Sequence, residues 1–66
     1  MSNIEHSKKQ TLSFDDAVIT FILRMEGIRR EVIAQRLGTS PDRVNEVLLG
    51  DAHPKAAREA STLLFA

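Results

Sequence analysis

The side chains able to do chemistry in this chain are guanidinium groups, carboxylates and amides. Cysteine is absent, and the two histidines, His6 and His53, have no acidic or histidine neighbours at metal-ligand spacing. Thiolate and mixed metal sites are therefore not expected. No nucleophile, base and orienting group recur as a set, and there is no glycine-rich phosphate loop. Neither enzyme chemistry nor a cofactor is expected. Hydrogen-bonding capacity instead concentrates between residues 29 and 46. Arg29, Arg30, Gln35 and Arg36 come first, then Thr39, Ser40, Asp42, Arg43, Asn45 and Glu46. Arginine is a fork of donors, a carboxylate accepts, and an amide does both.

The apolar residues threaded through that stretch set how it is carried. Ala34 lies four residues before Gly38, and Val44 six residues after it. A small residue on one helix lets a second helix pack closely across it. Glycine at the break can take positive φ without steric cost. Val44, in the middle of the second helix, pins that helix inward and leaves its opposite face free to enter a groove. Helix 2 is expected over 29–37, with Val32, Ile33, Ala34 and Leu37 inward. Ser40-Pro41 is a restart signal, an N-cap followed by a residue that needs no donor in the first turn. Helix 3 then runs 41–49 to Gly50, with Val44, Val47 and Leu48 inward.

Two further helices must flank this pair. Ser13 reads as an N-cap with Asp15 and Asp16 facing the positive helix end. Phe14, Ala17, Val18, Phe21, Ile22 and Met25 make an apolar stripe over 14–25, and Gly27 ends it. Pro54 opens a last helix over 55–65, alanine-rich and strongly apolar at its end. His53 either caps that helix or is exposed. Residues 1–11 have no clean period and read as a mobile arm, a solvated tail or one whose Lys8 and Lys9 touch nucleic-acid backbone. The expected architecture is all-α: a bundle of four to five short helices over 12–66 containing a helix-turn-helix at about 29–49.

At 66 residues the chain makes one domain, near the lower limit for folding alone. A partner copy would add stability. No apolar run is long enough to span a membrane and no signal peptide is visible, so a cytoplasmic location is expected. Formal net charge is zero, whereas nucleic-acid binders usually carry a basic surplus. Any positive field must come from sorting charges in space, and a single copy should bind weakly and lose affinity with salt.

Ile33-Ala34, Leu37, Gly38, Val44 and Val47 resemble the helix-turn-helix of the lambda-repressor and Cro-like family of bacterial and phage regulators, over about residues 28–54. The resemblance implies a DNA-binding regulator of transcription whose partner is double-stranded DNA. Ser40, Asp42, Arg43, Asn45 and Glu46 would lie near bases or backbone in the major groove. Asn45 would pair with adenine, Arg43 with guanine, and Glu46 would accept from cytosine N4. Arg29, Arg30, Gln35, Arg36 and Thr39 would contact phosphates.

Blander readings stand beside these. Arg43 with Glu46 or Asp42 can be a solvated ion pair, and Asp42 can serve the helix dipole. The apolar end Leu63-Leu64-Phe65 either covers a second copy, giving a homodimer on a two-fold-symmetric site, or closes the chain's own core against helix 1. The alternative function is a module of the same fold that binds or blocks another regulator without touching DNA. Clustered, unpaired arginines would favour DNA, and paired arginines a protein partner.

Overall fold

The computed structural model describes residues 11–65. Lys8, Lys9 and His6 lie outside them, as does all of the expected arm except Thr11. Among the described residues the fold is all-α, with helices α1 (Phe14–Met25), α2 (Arg30–Leu37), α3 (Pro41–Leu49) and α4 (Ala56–Phe65).

Local sequence explains the boundaries. Ser13 Oγ accepts from the Asp16 N–H at 3.0 Å, and the Asp16 carboxylate accepts from the Ser13 N–H at 3.3 Å. This capping box satisfies donors that the first turn of α1 cannot pair internally. At the other end of α2, Gly38 turns left-handed at φ 72°, and Thr39 donates back to the Ala34 carbonyl at 2.9 Å. The same closure recurs at Gly50, φ 87°, where Asp51 donates to Glu46 at 3.0 Å. Two boundaries fall one residue later than the expected ranges. Arg29 is the N-cap of α2, and Pro54-Lys55 form a turn ahead of α4.

Two apolar clusters hold the helices. One joins Leu12, Ala17 and Val18 to Val47, Ala56 and Ala60, so that α1 packs along α4. The other joins Ile33 and Ala34 of α2 to Val44 of α3, with Leu23, Ile28 and Leu48 around them. Val44 and Val47 thus anchor α3 in both clusters, and Leu37 touches both. The stripe expected on α1 is corrected at its ends. Phe14 is 40% exposed and Met25 48%, while Thr20 is fully buried. Thr20 is tolerated there because its hydroxyl donates to the Asp16 carbonyl at 2.9 Å.

Candidate nucleic-acid interface

The mounting of α3 is stiff. Ile33, Ala34, Val44 and Val47 are each at most 1% exposed. Side chains this buried sit in close-packed surroundings that resist displacement. Ser40 Oγ caps the helix by accepting from the Arg43 N–H at 3.4 Å, and Pro41 occupies the first turn. Asp42, exposed in that turn, complements the positive end of the helix.

On the outer face, the expected base-reading residues do not stand alone. Arg43 Nη2 pairs with Glu46 Oε2 at 3.1 Å, one helical turn apart. Both side chains are more than a third exposed, so the pair contributes about 0.2–0.5 kcal/mol at most. Asn45, half-buried, accepts through Oδ1 from Arg30 Nη1 at 2.7 Å. That bond crosses from the first residue of α2 to the middle of α3. Residue types alone did not reveal it, because its partners lie fifteen positions apart.

The expected backbone-contact set divides. Arg29, Arg30, Gln35 and Arg36 are all exposed on α2 or at its start. Among the described residues, Arg29, Arg30 and Arg36 form no ion pair. Arg30 is bonded to a neutral amide, which brings no opposite charge. Arg29 and Arg30 sit at the positive end of α2, where Arg29 makes no side-chain cap. Two like charges there oppose that dipole, and Glu31 in the same first turn offsets part of them. Thr39 departs from expectation. It is 5% exposed, and its N–H is already bonded to Ala34, so it lies behind the surface a phosphate would touch.

A shallow cleft of about 130 Å³ adjoins α3, lined by Thr11, Leu12, Arg43, Glu46, Ala52 and His53. It falls well below the few hundred Å³ that small-molecule sites occupy. His53 is neither free nor a side-chain cap. Its Nε2 lies 2.6 Å from the Leu12 carbonyl oxygen, and its ring stands edge-on to Phe14 with centroids 5.9 Å apart. The backbone there is left-handed, at φ 51°. His53 thereby ties the approach to α1 to the turn before α4. Only the turn residues around it were visible in sequence; the contact spans 41 positions. Among the described residues no group of three histidine or acidic side chains could hold a metal ion, and no helix is long and apolar enough to cross a membrane.

Leu63, Leu64 and Phe65, the candidate dimer contacts, end α4 with exposures of 61%, 41% and 77%. Closure of α4 on α1 is made earlier in the helix, by Ala56 and Ala60. Compared with protein-family models, curated proteins and solved structures, the chain matches none.

Proposed function

We propose that this protein is a sequence-reading DNA-binding regulator of transcription that lays α3 in the major groove and acts as a homodimer. The observation that carries the reading is the two-sidedness of α3. Val44 and Val47 are fixed in the interior, while Arg43, Asn45 and Glu46 face outward together with Arg30. A rigid helix with a polar outer face is the shape that major-groove reading requires. Arg29, Arg30 and Arg36, none of them in an ion pair among the described residues, supply phosphate attraction although the whole chain is neutral. The bare end of α4 supports pairing, since apolar side chains without charge can face a copy of themselves without repulsion. Work on DNA would place the protein in the cytoplasm of a prokaryotic cell, in keeping with the family it resembles.

One observation favours a second reading. The Arg43–Glu46 pair neutralises part of the outer face of α3, as suits a module that docks on another regulator. A titration separates the two. Native protein is mixed with random duplex and with DNA flanking its own gene, at low and moderate salt, beside Arg43→Ala and Asn45→Ala. Preference for flanking DNA that weakens with salt and is lost in the variants is the expected result. A folded protein that binds no duplex at low salt overturns the DNA reading and directs the search to protein partners.

A further inference from the structure

Arg30 carries a role that phosphate contact does not describe. We infer that Arg30 and Asn45 work as one base-reading unit, rich in donors, that selects guanine; the inference rests on the DNA-binding reading above.

The argument starts from the 2.7 Å bond between Arg30 Nη1 and Asn45 Oδ1. A guanidinium has donors only, so the amide must turn its oxygen toward it. Planarity of the amide then aims Nδ2 away from Arg30. One of the two lone pairs on Oδ1 is taken. The pair together presents two N–H groups on Nδ2, the remaining N–H groups of Arg30, and a single spare lone pair. Guanine shows two acceptors, N7 and O6, on its major-groove edge, whereas adenine shows one acceptor and one donor. A lone asparagine matches adenine with an equal split of donor and acceptor. The bonded pair has an excess of donors, which shifts the match to guanine.

The surroundings support the pairing. Arg43 and Glu46 engage each other and do not compete for Arg30 or Asn45. The packing of Ile33 and Ala34 against Val44 fixes the spacing of α2 and α3, which the bond spans. Arg30 is therefore a positioning residue for Asn45 as well as a donor.

The test uses the full chain and a preferred site selected from random duplexes. Each base pair of that site is exchanged in turn, and binding is titrated for native protein, Arg30→Ala, Asn45→Ala, the double variant and Arg29→Ala. Helical content and thermal unfolding are recorded for each. Native protein should prefer guanine over adenine at one position by roughly 5- to 100-fold. Arg30→Ala and Asn45→Ala should flatten the preference at that same position, and the double variant should flatten it no further. Arg29→Ala should weaken binding to all sequences alike and lower the salt slope by about 1. Arg30→Ala that behaves like Arg29→Ala, with base preference intact, overturns the unit and leaves Arg30 a phosphate contact. Adenine at the position that depends on Asn45 overturns the guanine assignment. A folded native chain that binds no duplex at all overturns the functional reading, and the inference with it; selective binding with either of the previous two results overturns the inference alone.

Discussion

The α2–α3 pair and the α1–α4 pair are built from different materials. Between α2 and α3 the contact is made by Ile33 and Val44, both fully buried, with Ala34 allowing close approach. A polar bond, Arg30 to Asn45, ties the outer edge as well. Between α1 and α4 the buried residues are mainly small, Ala17, Ala56 and Ala60, with Leu12 and Val18 beside them. Beyond Ala60, α4 carries exposed leucines and a phenylalanine. Branched side chains have few rotamers and lock a geometry, whereas alanines permit proximity and add little area of their own. The first pair is suited to holding the outer face of α3 still. The second closes the fold and leaves apolar side chains exposed at the end of α4.

Substitutions can break or sharpen that contrast. The largest effect is expected at Ile33→Ala, which opens a cavity in the stiffer pair and should cost about 2–5 kcal/mol, read as a lower urea midpoint. Loss of less than 1 kcal/mol would mean that α2 and α3 are not the rigid half. Ala60→Leu adds volume where α4 meets α1, at a position with no exposure. It should destabilise by about 1–3 kcal/mol; a neutral result would show slack in that contact.

Ser13→Ala removes the Ser13 Oγ half of the α1 capping box and should lower stability by about 1 kcal/mol. Phe65→Ser tests the bare end of α4. If a second copy covers it, native protein should melt higher as concentration rises, and the variant should lose that dependence and sediment as a monomer. Equal monomeric behaviour in both would remove the dimer from the proposal. Glu46→Ala should change stability least, by about 0.2–0.5 kcal/mol, because both side chains of its pair with Arg43 are more than a third exposed. On DNA the same variant frees a positive charge, and non-specific affinity should rise at low salt.

Much of the fold was legible before any contact was known. Ser13 and Ser40 marked helix starts, and Gly27, Gly38 and Gly50 marked ends. Each acts through bonds within a few positions of itself, so local residue order suffices. The inward residues of α2 and α3 were likewise readable from helical spacing, except Val32, which is half-buried and belongs to neither apolar cluster. The ends of the α1 stripe were not, since whether Phe14 and Met25 are covered depends on how the other helices pack against α1. Thr20 was passed over for the same reason, its burial being set by neighbours and permitted by a bond to its own helix.

The candidate site was half legible. Residue types named the polar groups of α2 and α3, and their helical positions set which ones face outward. Their pairing is a tertiary matter. Arg43 meets Glu46 by helical proximity, which sequence offered as one option among others. Arg30 meets Asn45, and His53 meets Leu12, only because packing brings distant segments together. By itself the sequence determined an all-α bundle of four to five short helices, their boundaries to within one residue and most of the apolar faces, since caps, glycines and periodicity act over one or two turns. The tertiary structure decided which polar groups are tied to one another, that Thr39 is covered, and that the end of α4 is bare. Those outcomes depend on how helices cross, and crossing is settled by the fit of Ile33 and Val44 in one cluster and of Val47 and the alanines of α4 in the other.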